Sequence, residues 1–113
     1  MIEAYAFGRM TIDGTEYRSD LIIYPNGRVQ DDWWRAAGHR LIADDIAELL
    51  ATKPALLIVG TGAYGIMKVD PALRERLERD QIAFEAARSK AAVALYNENV
   101  DKRQTAACFH LTC

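Results

Sequence analysis

The sequence has too few cysteines for a disulfide-stabilised secreted domain, and it lacks an apolar run long enough to cross a membrane. It contains 2 cysteines among 113 residues, whereas small secreted domains that depend on disulfides use more. Met1 to Tyr5 shows no basic segment followed by an apolar one, as a signal peptide would. No stretch approaches the roughly 20 apolar residues of a membrane span. These absences favour a cytoplasmic protein without a membrane span.

An excess of basic residues is also missing. Lys and Arg number 14 against 16 Asp and Glu, so the net charge is −2, whereas binding to a phosphate backbone needs a basic surface. The arginines at 74, 76 and 79 alternate with acidic residues, which is typical of a solvated helix face. Nucleic acid is therefore not an expected partner.

The sequence does contain enough apolar material for an ordinary core. Hydrophobic residues make up 50% of the chain and charged residues 27%, which is typical of a globular protein. A chain of this length buries roughly two-thirds of the surface exposed by its unfolded form. We expect a single domain, residues 1–113, that is a monomer or a weak homodimer.

The first third of the chain predicts β-structure. Strand-like runs at Arg9 to Ile12 and Glu16 to Arg18 flank the turn residues Asp13-Gly14-Thr15, a good hairpin signal. The apolar run Leu21 to Tyr24 ends at Pro25-Asn26-Gly27, and a further strand is predicted between Arg28 and Trp33.

The rest of the chain alternates helix and strand. The predicted elements are a helix from Asp44 to Lys53, a strand from Leu56 to Val59, a helix from Asp70-Pro71 to Arg79, a strand from Ile82 to Phe84, a helix capped by Ser89 and a strand from Thr105 to Leu111. Alternating β and α units predict a parallel sheet covered on both faces. The predicted fold is a three-layer α/β/α domain with a mixed, mainly parallel central sheet and an N-terminal β-hairpin.

The sharpest motif follows a predicted buried strand. It is a G-x-G-x-x-G loop made of Gly60, Thr61, Gly62, Ala63, Tyr64 and Gly65. Glu85 lies 20 residues beyond Gly65, where a dinucleotide site places its ribose-binding acid.

In a dinucleotide site the next helix begins inside the glycine loop, here residues 60–65, so that its N-terminal amides face the phosphate. In this sequence the helix begins only at Asp70-Pro71, and Asp70 would place a negative charge where the phosphate binds. Two alternatives stay open: a tight structural turn, or backbone amides that bind a small anion or polar ligand. We predict positive φ at Gly60, Gly62 or both, and no cofactor.

A second motif, Asp31-Asp32-Trp33-Trp34-Arg35, predicts a contact surface. Adjacent tryptophans on an extended segment point to opposite faces, so one is expected in the core and the other exposed. We predict that Trp33, Trp34 or Arg35 approaches the glycine loop, forming a cleft for a small anion or a partner's acidic or aromatic side chain. The alternative is that both tryptophans only pack.

Metal and catalytic chemistry are weakly indicated. Cys108, His110 and Cys113 supply three candidate ligands, whereas structural zinc normally needs four, so reduced thiols without a metal are expected. No G-x-S-x-G nucleophile motif occurs. Catalytic residues are unknown, and an enzyme is not the expected class.

Separated motifs together resemble one family. They are Tyr5 to Gly8, Asp20 to Ile23, Trp33 to His39, Leu57 to Gly62, Tyr96-Asn97 and the ending Ala106 to Cys113. The chain resembles the small-domain family of unknown biochemical function that includes a mitochondrial respiratory complex I assembly factor and the adipogenesis-associated Mth-type domain protein. Asn99 and Asp101, around the end of the third predicted helix, depart from the pattern.

The resemblance implies a three-layer α/β/α domain and no established catalytic residues. It implies a non-enzymatic binding or assembly-helper protein whose protein partner is unknown. The alternative is a protein or enzyme that binds a small anion or nucleotide-like ligand through the glycine loop.

Overall fold

A computed structural model describes residues 1–113. Its strands are β1 (Ile2–Ala6), β2 (Arg9–Ile12), β3 (Thr15–Tyr17), β4 (Leu21–Ile23), β5 (Val29–Gln30), β6 (Arg40–Leu41), β7 (Leu56–Thr61), β8 (Lys68–Val69), β9 (Ala83–Ala87) and β10 (Thr105–His110). A 3-10 helix (Ala43–Ile46) leads into α1 (Ala47–Ala51), followed later by α2 (Pro71–Arg79) and α3 (Ser89–Asn99). None of these helices has the length and apolar character needed to cross a bilayer.

The central sheet has five strands in the order β5-β4-β10-β7-β9. β7 runs parallel to both β10 and β9, whereas β4 is antiparallel to both β10 and β5. The prediction of a mainly parallel sheet is therefore wrong. The physical reason is the turn at Pro25-Asn26-Gly27, which folds β4 and β5 into a hairpin that adds to β10 in the antiparallel direction.

The predicted N-terminal hairpin is present as β2 and β3, which pair across the turn at Asp13 and Gly14. β1 extends it to a separate three-stranded antiparallel sheet instead of joining the central one. β6 and β8 form a further parallel pair. Strands of two residues are too short to show a hydrophobic period, so sequence reasoning missed them.

The core lies on both faces of the central sheet, because successive residues of its strands point to opposite sides. Leu57 and Val59 of β7 pack with the leucines of α1 and α2. Leu56 and Ile58 pack on the other side, with α3 and the three-stranded sheet. This arrangement fits the predicted three layers loosely, since one outer layer is partly β-structure.

Candidate functional site

The carboxyl ends of β10, β7 and β9 meet at one edge of the central sheet, where ligands of open α/β sheets usually bind. Antiparallel β4 begins at this same edge, and its first residue, Leu21, pairs with Phe109. Asp20, which precedes β4, is thereby brought beside His110 at the end of β10.

Asp20, Arg35 and His110 form a buried group that we call the inner cluster. Asp20 Oδ2 lies 2.9 Å from Arg35 Nη1 and 2.8 Å from His110 Nδ1. Asp20 Oδ1 accepts a 2.7 Å hydrogen bond from the Leu111 backbone N–H. The exposed fractions of the three side chains are 16%, 4% and 8%. A carboxylate and a guanidinium are therefore paired almost without solvent.

Arg35 is held on its other sides as well. Its Nε and Nη2 donate to the Gly38 carbonyl oxygen at 3.1 and 2.8 Å. Its guanidinium carbon lies 4.8 Å from the ring centre of Trp33, a cation–π arrangement. Trp33 is buried, and its Nε1 donates to the Asp45 carbonyl. The cation that the sequence places at this edge is thus already paired within the chain.

A cleft of about 370 Å³ opens beside the inner cluster. Its lining consists of Ser19, Asp20, Asp32, Trp33, Trp34, Arg35 and Gly38. We call it the Trp34 cleft, because Trp34 is 86% exposed. The expectation that one tryptophan is buried and its neighbour exposed is confirmed.

Asp32 supplies the open charge of the Trp34 cleft. It is exposed and belongs to none of the ion pairs of the chain. Its backbone N–H donates to Ser19 Oγ at 2.8 Å, and its φ is +49°, a left-handed conformation that Asp tolerates better than most residues. Because Arg35 is neutralised by Asp20, the cleft presents a negative charge beside an indole.

The glycine loop reaches the same edge. Gly62 has φ +103°, which confirms the prediction of a special turn there. A Cβ on Gly62 would lie 2.9 Å from His110 Cδ2 and 2.5 Å from the Cys113 carbonyl oxygen. At Gly60, which lacks positive φ, a Cβ would lie 2.3 Å from Phe109 Cδ1. The loop therefore packs directly against the end of β10 and, through His110, against the inner cluster.

Three backbone amides of the loop have partners within the chain. Gly62 N–H donates to Ser89 Oγ at 3.0 Å, Ala63 N–H to the Thr112 carbonyl at 2.6 Å, and Gly65 N–H to the Gly62 carbonyl at 3.2 Å. An anion held by these three amides would have to displace their bonds. This geometry favours a structural turn over an anion cradle.

The remaining side chains of the loop divide between core and surface. The Thr61 hydroxyl donates to the Ala87 carbonyl at 3.0 Å and links β7 to β9. Tyr64 is exposed, and its ring centre lies 6.3 Å from that of Phe7.

Ser89 links three elements and does not cap α3 as predicted. It is the first residue of the helix, and the capping position before it is held by Arg88 without a side-chain cap bond. The buried Ser89 hydroxyl donates to the His110 carbonyl at 2.6 Å and accepts from Gly62. The hydroxyl is therefore used to fix the glycine loop against β10.

Glu85 does not reach the Trp34 cleft. It lies within β9, opposite Ile58, and is exposed. β9 continues to Ala87, beyond the apolar run from Ile82 to Phe84 that predicted the strand. Glu85 therefore stops short of the carboxyl end of the strand.

The two thiols lie in different surroundings. Cys108 is completely buried, and burial raises the pKa of its thiol to about 12. Cys113 is partly exposed. No group of three or more His, Cys, Asp or Glu side chains is positioned to hold a metal ion. A thiol with the pKa of Cys108 stays protonated at neutral pH, so it is not a ready nucleophile.

A second polar group, the outer cluster, lies at the other end of β4 and consists of Tyr24, Arg28 and Glu48. Arg28 Nη2 lies 3.0 Å from Glu48 Oε1, and the Tyr24 hydroxyl lies 2.9 Å from Glu48 Oε2. The Arg28 guanidinium carbon is 4.1 Å from the Tyr24 ring centre. Burial, and the hydrogen bond to Glu48, raise the pKa of Tyr24.

Sequence reasoning found Arg35 but missed its partner Asp20. It considered His110 only together with the cysteines. Asp20 precedes an apolar strand and His110 ends the last one, but residues so far apart are joined only by the antiparallel pairing of β4 with β10. No local sequence pattern predicts the pairing of β4 with β10.

Comparisons with known proteins agree with this fold. A family model described as a protein of unknown function, DUF498/DUF598, matches residues 2–110. A conserved hypothetical protein of Pyrococcus horikoshii, PH1505, is 30% identical with a TM-score of 0.89, over 100% of this chain and 99% of its own. A protein named MT938 is 27% identical with a TM-score of 0.82, over 100% of this chain and 98% of its own.

A more distant structure shares the fold alone. The Rpa2829 protein of Rhodopseudomonas palustris is 24% identical with a TM-score of 0.77, over 96% of this chain and 81% of its own.

Proposed function

Because this chain belongs to the DUF498/DUF598 family of proteins of unknown function, its role has to be inferred from its own site, and we propose that it is a non-enzymatic binding domain. The Trp34 cleft takes a cationic side chain from a protein partner. The observation that carries this proposal is the charge of the cleft: Asp32 is exposed and unpaired, whereas Arg35 is 4% exposed and bound to Asp20.

The chemistry of the cleft suits arginine best. An exposed indole such as that of Trp34 attracts a cation over its face. The Asp32 carboxylate accepts hydrogen bonds from the same group. A guanidinium stacks on an aromatic ring and binds a carboxylate through two donors, which an ammonium does less well. Tryptophan and arginine are also the residues enriched at the energetic centres of interfaces.

The resemblance to a family that includes a respiratory complex I assembly factor supports a role in holding other chains. The alternative, a small-anion or nucleotide-like ligand on the glycine loop, has less support because the amides of Gly62, Ala63 and Gly65 already have partners. An anion would also need an unpaired cationic side chain, and Arg35, the cation of the Trp34 cleft, is paired with Asp20.

Two short peptides of opposite charge test whether the Trp34 cleft prefers a cationic partner. We expect penta-arginine to bind in isothermal titration calorimetry and to change the tryptophan fluorescence, and penta-glutamate to do neither. Loss of a cation–π contact predicts that Trp34→Ala weakens penta-arginine binding about tenfold. Asp32→Asn, which keeps the side-chain shape and tolerates positive φ, should weaken it several-fold.

Glu98→Gln is the matched control, since Glu98 is an exposed carboxylate on α3 in the opposite outer layer. It removes the same charge and should leave the affinity close to that of the wild type. Binding of penta-glutamate, or equal losses from Asp32→Asn and Glu98→Gln, would contradict the proposal.

A further inference from the structure

The outer strand β9 has the longest uncovered edge in the molecule. At the other side of the central sheet, β5 has only two residues, and the edge strand β3 has three. β1 has five residues, but the N–H and C=O of its first residue, Ile2, are bound by the Asn97 side chain. Long uncovered edges accept further strands unless charge, proline or a bulge prevents it.

The backbone groups of β9 that remain free can be identified from those that are already hydrogen-bonded on the β7 side. Ala83 N–H donates to the Ala55 carbonyl, and the Ala87 carbonyl accepts from Thr61, so the odd-numbered residues face β7. Because these directions alternate along a strand, Phe84 and Ala86 point their N–H and C=O groups outward. Ala86 is exposed, and the strand contains no proline and a single charged residue, Glu85.

We propose that two copies of this chain associate by antiparallel pairing of β9 with β9, with Ala86 on the two-fold axis. This surface is separate from the Trp34 cleft and does not depend on the function proposed for it. The result is a continuous ten-stranded sheet, from two five-stranded ones. The contact is small, so the dimer is weak and concentration-dependent.

The sequence of β9 favours this register over its neighbours. Pairing centred on Glu85 would place two glutamates directly opposite each other, which is destabilising. Pairing centred on Phe84 needs the Ile82 N–H, which already donates to the Leu77 carbonyl. When the pairing is centred on Ala86, Glu85 faces Ala87, and Phe84 faces Arg88 of the second copy, an aromatic–cation pair. The Arg88 carbonyl already accepts from the Ala92 N–H, but its second lone pair is free for the Phe84 N–H of the second copy.

Charge at position 86 tests the register. We expect sedimentation velocity to show a monomer–dimer equilibrium for the wild type between micromolar and millimolar concentrations. Ala86→Glu and Ala86→Lys each place like charges across the axis and should raise the dimer dissociation constant at least about tenfold. An equimolar mixture of the two variants should restore the dimer, because opposite charges then meet.

Ala47→Glu, at an exposed alanine on α1, is the matched control and should associate like the wild type. Circular dichroism checks that each variant is folded. A wild type that stays monomeric overturns the proposal and leaves the edge to an extended segment of another protein. Dimerisation unaffected by Ala86→Glu, or a mixture that stays monomeric, also overturns it.

Discussion

The inner and outer clusters contain the same interactions in different surroundings. Each joins an arginine to a carboxylate and places the guanidinium near an aromatic ring, at 4.8 Å for Arg35 over Trp33 and 4.1 Å for Arg28 over Tyr24. In the inner pair the side chains are 4% and 16% exposed, and in the outer pair 50% and 68%.

This difference in exposure decides what each pair contributes. Water screens the outer pair and solvates either partner when the other is removed, so its net contribution is small. Water does not reach the inner pair to solvate a remaining partner, so loss of one member leaves a charge buried without a partner. The distances within the two clusters are similar, so it is the exposure of the side chains that predicts their different contributions to stability.

Removal of the inner carboxylate should have the largest effect. Asp20→Ala leaves the Arg35 guanidinium without its counter-ion and the Leu111 N–H without its acceptor, so we expect the free energy of unfolding to fall by about 3 kcal/mol. Urea denaturation followed by circular dichroism measures this loss.

Asp20→Asn is the control for Asp20→Ala. Its side-chain oxygen can still accept the Leu111 N–H, so the difference between the two variants separates that hydrogen bond from the ion pair. A fall of less than about 1 kcal/mol for Asp20→Ala would remove the distinction between buried and exposed pairs.

Cys108 extends the comparison to the thiol behind the inner cluster. Its folded pKa is about 12, above the ordinary value of 9.0. Since the protonated form is favoured in the folded state, this contribution to stability is complete below pH 9 and is lost as the pH rises toward 12. We expect the free energy of unfolding to fall by about 1.4 kcal/mol per pH unit within that window.

Cys108→Ala removes this dependence. Although the variant should be less stable at neutral pH because it leaves a small cavity, its urea midpoint should fall more gently between pH 9 and pH 11. Burial also raises the pKa values of Tyr5, Tyr24 and Tyr96, so some alkaline loss remains in both proteins. Parallel pH profiles would show that Cys108 makes no such contribution.

Removal of the outer arginine should have the smallest effect. Because Arg28 and Glu48 are mostly solvated, Arg28→Ala should lower the free energy of unfolding by less than about 1 kcal/mol. The loss should shrink further in high salt, which screens exposed pairs. A loss as large as that of Asp20→Ala would show that exposure does not distinguish the clusters.

Much of the architecture followed from local sequence signals. Asp70-Pro71 marked the start of α2, because aspartate caps a helix and proline fits its first turn. The apolar run from Leu56 marked β7, which is buried on both faces. The strand directions in the sheet did not follow, because β4 gives the same local pattern whether it pairs parallel or antiparallel.

Only part of the candidate site could be predicted, because the pairing of the strands has no local sequence signal. Trp33, Trp34 and Arg35 stood out by composition, and their different burial followed from strand alternation. The charge of the cleft did not, since Arg35 is neutralised by Asp20, whose position depends on the pairing of β4 with β10. The glycine loop likewise predicted a turn but not that Ser89 would bind its amide.

The order of the central sheet also has a consequence for biosynthesis. β10 lies between β4 and β7, although both precede it in sequence, and Leu21 finds its partner only in Phe109. While the ribosome is still making the chain, β4 and β7 have no common neighbour, and their apolar edges stay open. We therefore expect sheet closure to be a late step with high contact order, and refolding to fall in the slower range of small domains. Until β10 arrives, the nascent chain is exposed to aggregation.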